Sequence, residues 1–142
     1  MDSGLRELID AAVAVRESAY APYSGYRVGA AVRDESGRIH AGCNVENASF
    51  GLTICAERAA IFRMVAEGGA RVAAVAVATS EGATPCGACR QVLAEFASDR
   101  EEMQVVCVGD GGESTTYRLS ELLPHTFGSQ ELRRTAGEAQ GV

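Results

Sequence analysis

The sequence lacks a run of about 18 uncharged apolar residues, and its first residues lack the basic-then-apolar layout of a signal peptide. Both absences argue against a membrane-spanning or secreted protein, so we expect a soluble cytoplasmic one. A net positive charge is also missing, because 19 acidic residues outnumber 13 basic ones and give a formal net charge of −6. Such a chain has no positive field to attract a polynucleotide backbone. The sequence therefore favours a small-molecule ligand over nucleic acid or a membrane.

Length and composition are those of one globular domain. The chain has 142 residues, of which 46% are hydrophobic and 23% are charged, as is ordinary for a folded domain of roughly 100 to 200 residues. No repeat, low-complexity tract or linker interrupts it. We expect a single domain over residues 1–128 and a flexible C-terminal tail over residues 129–142.

The apolar residues change their period along the chain and predict a mixed α/β fold. The pair of strands around Glu35-Ser36-Gly37 is predicted to be antiparallel, and the strand–helix–strand unit that follows is predicted to have a parallel, right-handed crossover. The predicted helices are 3–20, 55–67, 87–97 and 119–123, and the predicted strands are 26–34, 38–45, 71–79, 104–109 and 114–119. The expected architecture is a mixed sheet sandwiched by helices.

The five cysteines direct the search for function. They are Cys43, Cys55, Cys86, Cys89 and Cys107. An odd number with a close C-x-x-C pair favours metal or redox chemistry over disulfides in a cytosolic chain. Cys43 and Cys107 fall in predicted strands and are expected to be small core residues. The alternative is that one of these two is a fourth ligand in a closed structural site of four cysteines.

The other three cysteines are predicted at the starts of helices, each after a loop that leaves the sheet. Unpaired amides and the helix dipole favour a thiolate at such a position. Three thiolates would give zinc a formal charge of about −1, which the two helix ends offset, and would leave a fourth position open, as in a catalytic site. Water at that position has its pKa lowered from 15.7 to about 7. Arg58 and Arg90 are candidates to hydrogen-bond the sulfurs and withdraw further charge.

Glu57 stands two residues after Cys55. In the middle of a helix these side chains would point apart, but in the first turn both can reach a site just off the helix end. A carboxylate there can take a proton from water and deliver it to a substrate nitrogen. The combination predicts hydrolytic chemistry.

The segment Cys55-Ala56-Glu57, followed by Pro85-Cys86-Gly87-Ala88-Cys89, resembles the motif of zinc-dependent nucleobase deaminases, with cysteine in place of histidine at the first ligand. The chain as a whole resembles the small homotetrameric cytidine deaminases over about residues 1–128. The segments that carry this likeness are 20–24, 42–48, 55–58, 86–91 and 122–124. The resemblance implies a three-layer α/β/α fold with a central mixed five-stranded sheet.

The resemblance also implies an activity and a cofactor. The activity is deamination of cytidine and 2'-deoxycytidine to uridine and 2'-deoxyuridine, with release of ammonia, in pyrimidine salvage. The cofactor is one zinc ion per chain, bound by Cys55, Cys86 and Cys89. Glu57 is assigned the proton shuttle.

Further residues match positions that hold the substrate in this family. Asn44 and Glu46 match the residues that bind the ribose 3'-hydroxyl, although without the resemblance they would be interpreted as a polar turn. Tyr26 stands where the family usually has phenylalanine against the pyrimidine. Ala56 would offer its backbone N–H to the base carbonyl. Phe127 matches an aromatic residue that closes the site of a neighbouring subunit in a homotetramer.

Two other functions stay open. Aminohydrolases of modified cytidines or nucleoside antibiotics share the zinc motif, and the Asn-Val-Glu-Asn segment 44–47 favours ordinary cytidine against them. A structural zinc or interaction module without catalysis is the other alternative, which Glu57 and the lack of an obvious fourth ligand disfavour. His40 and His125 have no role in these schemes and are expected to be incidental or at the surface.

Overall fold

A computed structural model of the chain describes residues 3–129 and 131–132. Within these ranges the named elements are four α-helices, a short 3-10 helix (Phe50–Leu52) and five strands. The helices are α1 (Ser3–Arg16), α2 (Ala56–Ala66), α3 (Gly87–Phe96) and α4 (Leu119–Leu122). The strands are β1 (Gly29–Asp34), β2 (Ile39–Cys43), β3 (Val72–Ala78), β4 (Gln104–Val108) and β5 (Ser114–Arg118). Every predicted element is present, with ends that differ by up to four residues.

None of the described helices is long or apolar enough to cross a membrane. The tail predicted at 129–142 lies mostly outside the described residues.

The five strands form one mixed sheet in the order β2-β1-β3-β4-β5. Strands β3 and β4 are parallel and are connected through α3, while the other neighbouring pairs are antiparallel. The turn between β1 and β2 contains Gly37, whose φ of +93° lies in the region that favours glycine. The predicted hairpin and the predicted parallel unit are both confirmed.

Helices cover both faces of the sheet. α1 packs on one face, and α2, α3 and α4 contribute to the core on the other. The Val/Ala alternation in β3 matches this division. Val75 and Val77 face α2 and α3, whereas the alternating alanines 74, 76 and 78 face α1. Small residues let α1 approach closely: a Cβ added at Gly29 would lie 2.1 Å from the carbonyl oxygen of Ala12. The three-layer arrangement is confirmed.

Helix α1 ends at Arg16, four residues before its predicted end. The next three amides donate to carbonyls three residues back, at 2.9–3.3 Å, which closes the helix with a tighter turn. The amide of Tyr20 then donates to the Asn44 carbonyl at 3.0 Å, and the amide of Glu46 donates to the Tyr20 carbonyl at 2.9 Å. Pairing with this distant segment takes the place of further helix and brings residues 20–24 beside residues 44–46.

His40 is a correction to the sequence analysis, because it is buried, with 1% of its surface exposed. Its Nε2 lies 2.7 Å from Asp34 Oδ2, and its Nδ1 lies 2.6 Å from Glu67 Oε1. The hydrogen bonds to His40 lower the pKa of both carboxyls, so both stay ionised at neutral pH. The imidazole therefore ties the end of α2 to strand β1.

Candidate active site

Three cysteine sulfurs gather where α2 and α3 begin. The Sγ atoms of Cys55, Cys86 and Cys89 lie within 4.8 Å of one another, and those of Cys55 and Cys86 are 3.9 Å apart. Thiolates bound to a tetrahedral zinc ion at about 2.3 Å lie about 3.8 Å apart, whereas disulfide sulfurs are separated by about 2.05 Å. The spacing and the soft sulfur donors therefore fit zinc. Among the described residues, these three form the cluster able to hold a metal ion.

The local backbone explains why the sulfurs converge. Cys55 is the N-cap of α2 and Cys86 is the N-cap of α3, both with extended backbone. The first hydrogen bonds of the two helices run from Ala59 N to Cys55 O and from Arg90 N to Cys86 O, each 3.0 Å long. The amides before them have no carbonyl partner within their helix. Two positive helix ends thus face the sulfur cluster and stabilise its negative charge.

Arg58 supplies a further positive charge, as predicted. Its Nη2 donates to Cys55 Sγ at 3.3 Å, while its Nε is buried and has no hydrogen-bond partner among the described residues. Hydrogen bonds from the Cys89 thiol and from Arg58 lower the pKa of Cys55 to about 5, so Cys55 is a thiolate at neutral pH. The same hydrogen bond to Cys55, together with burial, raises the pKa of Cys89.

Arg90 does not hydrogen-bond a sulfur, and this corrects the prediction. Its Nε donates to Pro85 O at 2.7 Å, its Nη1 to Leu122 O at 2.7 Å and its Nη2 to Thr84 Oγ1 at 2.8 Å. Successive residues of a helix point about 100° apart, so the neighbour of an inward-facing Cys89 leaves on another side of α3. Arg90 instead fixes the loop before Cys86 and the end of α4.

A cavity of about 200 Å³ opens beside the sulfurs. Six residues to which the sequence analysis assigns a role in the site line it: Tyr26, Asn44, Cys55, Ala56, Glu57 and Cys86. Glu57 is 4% exposed, and burial raises the pKa of its carboxyl to about 7. A carboxyl with that pKa can both take up and release a proton at neutral pH.

The cavity wall also contains residues to which the sequence analysis assigns no role. They are Val28, Thr53, Val77, Thr79, Ala83 and Thr84. The available signal was position, because Thr79 directly follows β3 and ligand sites in α/β sheets form beyond the carboxyl ends of strands. Thr79 is buried, and its Oγ1 accepts a hydrogen bond of 2.8 Å from Ala83 N, which shapes the loop leading to Cys86.

Asn44 is buried at the edge of this cavity. Its Nδ2 donates to Tyr26 O at 2.7 Å, and its Oδ1 accepts from Val28 N at 2.9 Å. The side chain thus fixes the backbone that carries the aromatic wall. One N–H of the amide is used in this way, and an amide has two.

Glu46 lines an adjoining cavity of about 350 Å³, which shares Thr53 with the first. Its carboxylate accepts hydrogen bonds from the amides of Tyr23, at 3.0 Å, and Ser24, at 3.1 Å, and from the Ser24 hydroxyl. These bonds, led by that of the hydroxyl, lower the pKa of Glu46 and keep it anionic. Together the two cavities reach the size of ordinary small-molecule sites, roughly 300–1,000 Å³.

The remaining candidates lie outside the cavity. Phe127 is 58% exposed and does not line it, although its carbonyl accepts a 2.9 Å hydrogen bond from Gln91 Nε2 on α3. Cys107 is buried in the core and Cys43 is half-buried in β2, and neither joins the sulfur cluster. In the part of the chain that the structure describes, the cluster therefore has three cysteines rather than four.

Comparisons with known proteins agree with this geometry. The model of the cytidine and deoxycytidylate deaminase zinc-binding region matches residues 3–107. The cytidine deaminase of Halalkalibacterium halodurans is 43% identical over 127 residues, which cover 88% of this chain and 95% of that protein. The cytidine deaminase of Sporosarcina psychrophila is 42% identical over 134 residues, which cover 93% and 97%.

A solved structure supports the same assignment at the level of the fold. The crystal structure of cytidine deaminase from Burkholderia pseudomallei superposes with a TM-score of 0.81 at 44% identity, covering 89% of this chain and all of that one. The matched region includes the sulfur cluster, Glu57 and both helix starts. The chain belongs to the cytidine deaminase family.

Proposed function

We propose that this protein is a zinc-dependent hydrolase that converts cytidine and 2'-deoxycytidine to uridine and 2'-deoxyuridine, with release of ammonia, in pyrimidine salvage. The observation that carries the proposal is that the buried Glu57 lines the same cavity as Cys55 and Cys86, whose sulfurs cluster with that of Cys89. The relatives described above, which are cytidine deaminases, support the choice of substrate. We place the reaction in the cytoplasm, where the free cysteines stay reduced.

The proposed chemistry divides between a metal and a proton carrier. Cys55, Cys86 and Cys89 would hold one zinc ion per chain, and a zinc ion bound there would lower the pKa of the attacking water. Glu57 takes one proton from the attacking water and delivers it to the pyrimidine ring nitrogen, which keeps it. Glu57 then takes the second proton, from the hydroxyl that the water leaves on the ring carbon, and delivers it to the amine, which departs as ammonia as the carbonyl forms. Its pKa of about 7 suits transfer in both directions.

The cavity wall holds the nucleoside in this scheme. Tyr26 provides an aromatic surface for the pyrimidine, and the amide of Ala56, at the first position of α2, donates to the base carbonyl. Asn44 uses its second N–H, and Glu46 its carboxylate, to bind the ribose hydroxyl. The buried carboxylate beside the sulfurs disfavours a structural zinc module, since such a site needs no proton carrier.

The negative charge of Glu46 predicts which substrates the enzyme uses. We expect efficient use of cytidine and deoxycytidine, poor use of free cytosine, and a kcat/KM for cytidine monophosphate at least roughly 100-fold lower. Like charges a few ångströms apart near a protein surface repel by a few kcal/mol, and Glu46 is anionic. The assay combines zinc per chain, the fall in cytidine absorbance and ammonia release. Comparable kcat/KM values on the monophosphate would contradict the proposal.

We propose further that the enzyme is a homotetramer in which neighbouring chains complete each other's sites. A chain of 142 residues has few elements with which to enclose a nucleoside. Apolar side chains stand exposed near the cavities and on α2: Phe50 is 77% exposed, Leu52 is 63% exposed, and Phe62 and Val65 share one helix face. Phe127 is assigned to the neighbour's cavity.

Mixing two impaired variants, Phe127→Ala and Glu57→Gln, tests this shared site. Phe127→Ala is expected to weaken turnover or substrate binding without changing zinc content, because it removes an aromatic wall and admits water. After subunit exchange with a Glu57→Gln protein, some sites combine the intact Glu57 of a Phe127→Ala chain with the intact Phe127 of a Glu57→Gln chain. Activity should exceed the sum of the parents. The proposed assembly would be refuted if activity did not rise although subunits had exchanged. It would also be refuted if light scattering showed a monomer under conditions in which the protein is fully active.

A further inference from the structure

The hydroxyl of Tyr26 donates a hydrogen bond to the Glu81 carboxylate. The ring of Tyr26 forms part of the cavity wall, whereas Glu81 lies in the loop between β3 and Cys86. The contact therefore joins the segment before β1 to the loop that carries a sulfur ligand. A phenylalanine at position 26 would offer the same ring without this bond.

Both ends of the contact are themselves held in place. Tyr26 is fixed through its carbonyl by Asn44 Nδ2 and through its amide, which donates to Ser24 Oγ at 2.9 Å. Glu81 pairs with Gly109 in an isolated bridge at the end of β4. Because the backbone of Tyr26 is already held, its side chain is left free only to rotate. The hydrogen bond to Glu81 restricts that rotation.

The charges favour a persistent bond. The hydrogen bond from Tyr26 lowers the pKa of Glu81, while burial and the contact with Glu81 raise the pKa of Tyr26. At neutral pH the phenol is thus the donor and the carboxylate an ionised acceptor. Hydrogen bonds to ionised acceptors are stronger than neutral ones.

We infer that Tyr26 and Glu81 form a clamp that fixes the aromatic wall against the pyrimidine, with Glu81 as a positioning residue that acts through Tyr26. This inference rests on the proposed function, because it assigns the wall to the substrate base. The clamp acts on the bound base before and during reaction alike. Its loss therefore raises KM more than it lowers kcat.

The test compares Glu81→Ala, Glu81→Gln and Tyr26→Phe, with Glu35→Ala as the matched control at an exposed position of the β1–β2 turn. We expect Glu81→Ala and Tyr26→Phe to raise the KM for cytidine about 3- to 10-fold, the size of one partly exposed hydrogen bond. Glu81→Gln keeps an acceptor oxygen and should recover most of the wild-type KM. The control should match the wild type in KM, kcat and zinc content.

The double variant Glu81→Ala/Tyr26→Phe separates a shared bond from two independent effects. If the clamp exists, the double variant is no worse than either single one. Multiplied defects, unchanged KM values in both single variants, or a Gln variant as defective as Ala would overturn the inference.

Binding of uridine, measured by calorimetry, gives a readout without turnover. In Glu81→Ala and Tyr26→Phe the Kd for uridine should rise by the same factor as the KM for cytidine. A wild-type protein that neither deaminates cytidine nor binds uridine would instead refute the proposed function.

Discussion

Replacing Glu57 by glutamine is expected to lower the turnover of cytidine by about 10²-fold or more and to leave zinc content unchanged. Glutamine has nearly the same shape as glutamate, so the wall of the cavity is preserved. It has no titratable proton, and general acid–base catalysis typically contributes 10²- to 10⁴-fold to a rate. The carboxylate is 4% exposed, so bulk water has little access to replace it as the proton carrier.

The measurement pairs steady-state deamination with zinc analysis of the same preparation. Glu95→Gln is a matched control, because Glu95 is an exposed residue on α3 outside the cavity lining. It should retain wild-type rates. Near-normal turnover in a zinc-loaded Glu57→Gln protein would contradict the assigned role. Loss of zinc from this variant would also contradict it, since the carboxylate would then be holding the metal.

The second large effect is expected from Cys89→Ala, which should lose zinc, activity and stability together. Cys89 is fully buried and its sulfur belongs to the three-cysteine cluster. Two thiolates bind zinc far less tightly than three, and metal binding couples to folding because the unfolded chain has no preformed site. We expect a loss of stability on the order of 3 kcal/mol or more relative to the zinc-loaded wild type.

Zinc content, cytidine turnover and the urea midpoint of unfolding check this expectation. Cys43→Ala is the control, because Cys43 is a half-buried cysteine of β2 outside the cluster. It should keep its zinc. A stable, zinc-loaded Cys89→Ala protein would show that the ligand set is wrong.

Much of the site could be predicted because its parts obey local rules. Cys55 and Cys86 were placed at helix starts from the loops before them and the apolar period after them, and both are N-caps. Glu57 could be linked to the sulfurs because the geometry of a first helical turn is independent of the rest of the fold. Arg58 lies one turn along the same helix and contacts Cys55 as expected.

The errors share a different cause. Its place next to Cys89 makes Arg90 a candidate to hydrogen-bond a sulfur, but its Nη1 donates to the carbonyl of Leu122, 32 residues away. His40 has no role in the predicted site and is expected to be incidental or at the surface, yet it is buried between two carboxylates, one of them 27 residues away. α1 ended early because the amide of Tyr20 pairs with Asn44. In each case a distant partner overrode the local preference.

The sequence by itself determined the fold class, through apolar periodicity. It also singled out Cys55, Cys86, Cys89 and Glu57, through their predicted positions at helix starts and through the resemblance of their motif to that of zinc-dependent deaminases. The tertiary structure alone decided which distant polar groups meet, such as Tyr26 and Glu81, which are 55 residues apart. A hydrogen bond forms only within a few tenths of an ångström of its preferred length. That precision depends on how separate strands and loops pack together, and no local pattern of residues specifies it.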